Sequence, residues 1–209
     1  ATARTRFSDQ SFRFGAYHSD NRTAVIPFHT HEFMELEFVL RGAGVYLDAD
    51  AEYPMTAGDV FVIAGNGAHG YKQRDKCETA NIQFDPAQFL PRDSDMAATP
   101  SYHALFELEP RYRTLHKFQS KLHLNTHDTV MADRLITALE REGLQKAPGY
   151  QTAIRGLFMQ LVVLLCRAYA ASTQPGAQML VRIGPAIRHI EPLLTLDGLY
   201  LVKSYIASV

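Results

Sequence analysis

At 209 residues the chain is long enough for one domain with a substantial appendage, or for two small domains. An apolar fraction of 46% supports a buried core, and 21 Lys and Arg against 22 Asp and Glu leave a net charge of −1, which advertises neither a nucleic-acid nor a membrane surface. Two cysteines, Cys77 and Cys166, lie far apart with no CxxC, so a reduced, cytoplasmic protein is expected rather than a disulfide framework.

No apolar run follows Arg4 and Arg6, so no secretory leader is expected. Phe12 and Phe14 alternate around Arg13 and predict a first strand behind a mobile arm. From Asn21 to Phe84 the pattern is all β. Val25-Ile26-Pro27 leads into a central strand, and Gly42-Ala43-Gly44 breaks it before Val45-Tyr46-Leu47-Asp48 resumes. Met55-Thr56-Ala57-Gly58-Asp59 reads as a turn feeding Val60-Phe61-Val62-Ile63, an apolar run of the buried-strand type. Gly65-Asn66-Gly67 predicts a sharp turn with positive φ that delivers His69 and Tyr71 onto one face of the next strand. Thr79 to Phe84 alternates again, Asn81 and Gln83 facing away from Ile82 and Phe84. Short strands with frequent turns imply a sandwich or a barrel.

Residues 85–127 are punctuated by proline and read as irregular, and His103, His116, His123 and His127 within them have no metal-like spacing. The remainder turns helical. Asn125 or Thr126 caps a helix carrying Met131, Leu135, Ile136 and Leu139 and ending near Gly143. After Pro148-Gly149 a longer helix carries Ile154, Leu157, Phe158, Leu161, Val162 and Leu165, and Val163 and Leu164 widen its apolar stripe. Such a helix is covered on more than one side, either within one monomer or by a second subunit. Its most apolar run, Leu161 to Cys166, is too short to span a bilayer, and no membrane partner is expected. Ser172 to Gly176 reads as a linker, followed by a short helix around Val181 to Ile190.

The stretch that carries chemistry is Phe28-His29-Thr30-His31-Glu32-Phe33-Met34-Glu35 and the strand behind it. Period two puts His29, His31, Glu35, Glu37 and Arg41 on one face and Met34, Leu36, Phe38 and Leu40 on the other. The polar face either meets water or lines a ligand cavity while the apolar face packs outward on helices. Three imidazoles and a carboxylate, His29, His31, Glu35 and His69, are a donor set for a divalent first-row metal such as Zn, Ni, Mn or Fe. The same groups serve equally well to hydrogen-bond a polar small molecule such as a sugar.

His29-x-His31-x3-Glu35-x6-Gly42 resembles the first motif of the cupin superfamily, and Gly58 and His69 keep the spacing of the second, with Ala64 standing for its Pro and Asn66 for its second Gly. The resemblance implies an α+β fold, a cupin-like (double-stranded β-helix or jelly-roll) barrel in which His29, His31, Glu35 and His69 converge, followed by a helical segment. A closer resemblance covers about residues 12–190. His29 to Leu36, Val39 to Gly44, Tyr53 to Ile63 and His69-Gly70-Tyr71 look like the effector-binding half of AraC-family transcriptional regulators. That likeness implies a small polar effector, a sugar in many members, held by His29, His31, Glu35, His69, Arg41 and Tyr71, and a homodimer formed through the C-terminal helices. It implies no catalytic residue, and DNA contact through a helix-turn-helix domain largely missing from this chain, whose opening Pro192 to Leu199 resembles. The expected organisation is a barrel and irregular segment over 1–127, an antiparallel helix pair over 128–172, and a linker with the start of the DNA-binding domain over 173–209. The competing expectation is a metal-dependent cupin enzyme, an isomerase or dioxygenase.

Overall fold

The structure is a computed structural model that describes residues 7, 9–19, 25–48, 51–65, 67–91, 94–110 and 121–190, the last four without their side chains. Asn66, His116 and the segment Pro192 to Leu199 lie outside the described residues.

The described strands are β1 (Phe14–Ser19), β2 (Ile26–His29), β3 (Met34–Asp48), β4 (Glu52–Thr56), β5 (Asp59–Ile63), β6 (His69–Phe84) and β7 (Leu122–His123). Every pairing among them is antiparallel, in the order β1-β6-β3-β5-β7, with β2 on β6 and β4 on β3. The frame is the pair of long strands β3 and β6, which run against each other from Met34↔Phe84 to Asp48↔His69.

β3 is continuous where Gly42-Ala43-Gly44 predicts a break, because the interruption is absorbed as bulges in its pairing with β6. The β3–β6 register shifts three times between Val39 and Val45. Gly42 has φ +75, and Gln73 and Lys76 have φ 53 and 44. A Cβ on Gly42 would come within 2.3 Å of the Lys76 carbonyl oxygen, so both the torsion and the approach demand glycine. Gly65 and Gly67 do not take the positive φ expected of them. Gly65 is favoured instead by closeness, a Cβ there coming 3.0 Å from the Glu32 carbonyl oxygen.

Alternation divides the sheet into two apolar layers. Met34, Leu36, Phe38, Val60, Val62, Ile82 and Phe84 face outward and share a core with the helices. Val39, Tyr46, Tyr53, Met55, Phe61, Ile63, Tyr71 and Cys77 face inward and form a second cluster. β5 therefore feeds both layers, which explains its unbroken apolar run. With helices gathered on the outer face of an antiparallel barrel sheet, the fold is α+β and cupin-like.

The segment expected to be irregular contains two short helices, α1 (Pro86–Phe89) and α2 (Pro100–His103), each with proline in its first turn and a capping side chain, Asp85 and Thr99. A π-helical turn, Ala104–Leu108, continues α2. Two long helices follow. α3 (Thr126–Gln145) is capped by Asn125, whose side-chain oxygen accepts from the Asp128 N–H at 2.9 Å, and α4 is Tyr150–Ala170. The linker expected from residue 173 is short, because α5 runs from Pro175 to Ile190 and encloses Pro185.

α4 seats itself through Phe158, whose ring lies 4.8 Å from Phe84, 5.7 Å from Phe89 and 5.8 Å from Phe14. By length and hydropathy α4 could cross a membrane, more than its six-residue run suggests. Ile154, Phe158, Leu161, Val162, Leu165, Cys166 and Tyr169 are nevertheless buried in the core, the pattern of a helix docked on a sheet.

Candidate functional site

The inner wall of the barrel opens at one end with three imidazoles. His29 closes β2 opposite His69, the first residue of β6, and His31 lies just before β3. Each ties Nδ1 to a backbone carbonyl two residues away: His29 to Pro27 at 3.1 Å, His31 to Phe33 at 2.8 Å and His69 to Gly67 at 3.1 Å. A carbonyl only accepts, so Nδ1 carries the proton in each ring and the neutral form presents Nε2 as a lone-pair donor. His31 is also held flat on Phe33, ring centroids 3.9 Å apart.

Glu35 sits among them. Its Oε2 is 3.1 Å from His31 Nε2 and 3.6 Å from His69 Nε2, and its Oε1 accepts from Gln83 Nε2 at 3.2 Å. Burial works against ionisation of this carboxyl, but the two imidazoles outweigh it and bring it down to about 2. His69 is correspondingly raised, burial opposing and Glu35 prevailing, whereas burial lowers half-buried His29. One donor atom from each of His31, Glu35 and His69 falls within 4.8 Å of the others, all three residues are buried, and the His29 ring is 4.3 Å from that of His69. His31 Nε2 is buried, and the Glu35 carboxylate is the group it faces. Nδ1 atoms tied to backbone carbonyls, Nε2 atoms converging on one point and an ionised carboxylate between them together fit a divalent metal.

Further along the wall the polar band continues. Buried Glu37 accepts a short hydrogen bond from Tyr71, and burial followed by the charge of Glu35 raises its carboxyl to about 7. Burial holds the Tyr71 hydroxyl well above its ordinary value. Asn81 and Gln83 donate to the Tyr17 hydroxyl at 3.2 and 3.0 Å. Beyond Tyr71 the bulges of β6 turn Arg74 inward, its guanidinium carbon 5.4 Å from the Tyr71 ring centre.

Of the six residues expected to bind ligand, His29, His31, Glu35, His69 and Tyr71 are brought together. Arg41 is not among them. The register shifts on either side of it end the inward face at Val39, and the Arg41 side chain is 76% exposed, 3.5 Å from Glu78. It lines a separate surface pocket of about 450 Å³ between the sheet and α3, with His18, Thr129, Asp133 and Glu140. His18 binds Glu140 at 2.7 Å and Asp133 at 2.9 Å there. Of the scattered histidines, His103 contacts Glu107, His123 contacts Asp59 and His127 is exposed. Tyr17 and Arg74 escape a sequence reading. Tyr17 joins the wall only through its register against Asn81, and Arg74 only through bulges that strict alternation does not foresee.

Residues 13–180 match the family model of the AraC-like ligand binding domain. The chain belongs to the AraC family, as an AraC-like ligand-binding domain. Among relatives, it is 30% identical over 148 residues to the HTH-type transcriptional activator RhaR of Escherichia coli (strain K12), covering 70% of this chain and 49% of that protein. It is 26% identical over 141 residues to RhaR of Mannheimia succiniciproducens, covering 68% and 46%. The chain thus spans about half the length of the curated relatives it matches. Solved structures similar to it include a cupin-2 domain protein from Shewanella frigidimarina (18% identity, 36% of this chain and 72% of that one, TM-score 0.30). KdgF from Halomonas sp. is another (22% identity, 34% and 69%, TM-score 0.31). In this AraC-like ligand-binding domain, the inner wall offers the polar groups and the helices lie behind it.

Proposed function

We propose that this domain is the effector-sensing and dimerisation portion of an AraC-type transcription regulator, taking a small polar effector, a sugar or a close relative, on the inner wall of its barrel. The observation that carries the reading is the buried polar band His31, Glu35, Glu37, His69 and Tyr71, lined up on a face that an ordinary barrel core would fill with apolar side chains. Behind it, α3 and α4 leave an apolar groove of about 530 Å³ that includes Met131, Leu135, Met159, Val163 and Leu164, a surface suited to a second copy of the chain. Effector binding would act through a difference in affinity between two arrangements of the dimer, and so on DNA binding by a helix-turn-helix domain beyond the described residues. Titration calorimetry against a panel of sugars and sugar derivatives tests the sensor, with saturable heat lost in Glu35→Gln as the expected result. Silence across the panel would count against it.

A second reading, a metal-dependent enzyme, is favoured by the donor set alone. A Zn, Ni, Mn or Fe ion would be held by His31, Glu35 and His69, with His29 beside them, and would supply Lewis acidity to a bound oxygen ligand. Elemental analysis of the protein against a His31→Ala/His69→Ala variant decides occupancy. About one metal per chain, lost in the variant and accompanied by turnover, supports the enzyme. Metal without turnover leaves a metal-assisted sensor.

A further inference from the structure

Arg74 is the one strongly cationic group on the described inner wall, and it is built in rather than stranded. It is 8% exposed, between Gln73 and Lys76, whose positive φ values mark the bulges that turn Arg74 and Cys77 inward while Gln73, Asp75 and Lys76 face water. Across the sheet it packs beside Gly44, where a Cβ would come 2.7 Å from Met55 Cε and 3.4 Å from Cα and Cγ of Arg74. Beside its contacts with the Tyr71 ring and the Cys77 thiol, much of the guanidinium's hydrogen-bonding capacity is unmet. Nε and Nη1 are buried with no hydrogen-bond partner, Nη2 reaches Thr79 Oγ1 only at 3.5 Å, and among the described residues no carboxylate forms an ion pair with it. Glu37, the acid facing the same interior, is engaged by Tyr71. Further along the wall, Asn81 Oδ1 is a buried acceptor that also lacks a partner, its amide nitrogen being used by Tyr17.

A buried guanidinium with free N–H groups carries a large desolvation cost unless something anionic completes it. Unused donors at Arg74 and an unused acceptor at Asn81 describe the complement of a ligand that has both an acid group and hydroxyls. We infer that the effector is a small hydroxylated carboxylic acid, of the sugar-acid class rather than a neutral sugar, with its carboxylate on Arg74. This rests on the reading of the inner wall as the effector surface. Arginine is the side chain suited to the task, because its charged N–H groups match carboxylate oxygens in number and direction.

The test is calorimetric titration of the whole domain with matched pairs, each neutral hexose or pentose against its own uronic and aldonic acid. The acid member of at least one pair binds, and its neutral counterpart binds roughly 10- to 100-fold more weakly, the worth of a charge-assisted hydrogen bond. Arg74→Met abolishes that preference, and Arg74→Lys, which keeps the charge without the fork, retains part of it. Thermal melting of the ligand-free protein supplies a second readout. Arg74→Met melts at the same or a higher temperature if the guanidinium awaits a ligand, and at a lower one if it is a structural counter-ion for Glu37. Neutral sugars that bind as well as acids, unaffected by Arg74→Met, overturn the acid assignment and leave the effector-binding reading intact. No heat from either member of any pair, together with a lower melting temperature for Arg74→Met, overturns both.

Discussion

Replacing Phe158 by alanine removes the ring through which α4 rests on the barrel. Phe158 is 1% exposed and touches three other rings at 4.8, 5.7 and 5.8 Å, two of them nearly edge-on at 82° and 85°. Returning a buried phenylalanine to water costs about 2–3 kcal/mol. The three ring contacts add about 0.5 kcal/mol each at the low end. Together these terms come to about 4 kcal/mol, inside the range of about 3–5 kcal/mol seen for truncations that leave a cavity in the core. With a urea dependence of about 2 kcal/mol per molar, the midpoint falls by about 2 M at unchanged slope. Circular dichroism during urea titration reads this directly. Leu144→Ala, at a side chain 78% exposed on α3, serves as the control and shifts stability by less than about 0.5 kcal/mol. A loss below about 1 kcal/mol for Phe158→Ala, or two separated transitions in the unmodified protein, would refute the docking of α4 on the outer face of the sheet.

Two further outcomes follow from the helices and the strand beside them. Met159→Glu combined with Leu164→Glu places charge in the apolar groove and yields a monomer by sedimentation velocity that keeps its helical circular dichroism. An unmodified protein that is already monomeric at tens of micromolar removes this groove as the interface. At His18, burial lowers the imidazole value but bonds to Glu140 and Asp133 outweigh it and raise it above 6.5. A raised folded-state value means that the stabilisation is fully present below the unfolded value and is lost as pH climbs through the folded one. His18→Gln therefore lowers the melting temperature at about pH 6 and has little effect at about pH 9, by no more than about 1 kcal/mol for so exposed a pair. An equal effect at both pH values assigns His18 a packing role only.

Period two made most of this site legible. Once Met34, Leu36 and Phe38 are read as one face, Glu35 and Glu37 have to share the other, and spacing brings His69 and Tyr71 to the same wall. The helical hairpin was legible for a similar reason, with Asn125 capping its start and Pro148-Gly149 marking its turn. Alternation fails where strands bulge. Arg41 is two residues past Val39 and counts as inward, but the register shifts beside it expose it; Arg74 counts as outward from Tyr71, and the bulge at Gln73 buries it. A bulge is one residue of excess on one strand, set by how two distant segments pair, so no local pattern announces it. The glycine at position 42 was the one available hint, since a conformation with φ +75 and a carbonyl at contact distance admits nothing larger.

The strand that bulges is also the strand that connects pocket to helices. β6 carries His69, Tyr71, Arg74, Asn81 and Gln83 on its inner side, and Ile82 and Phe84 on its outer side, where Phe84 meets Phe158 of α4. A ligand bound on the inner wall that shifts the backbone at Asn81 or Gln83 also shifts Ile82, which lies between them. Close packing leaves the outer layer few ways to absorb such a shift except by altering its fit to α4. Under the proposed function, the coupling runs through residues 79–84 at the end of β6 rather than through the segment that carries His29 and His31. Amide hydrogen exchange with and without effector tests this: protection should change in residues 79–84 and in α4 together. A change confined to the segment around His29 and His31, with α4 untouched at saturating effector, would place the coupling elsewhere.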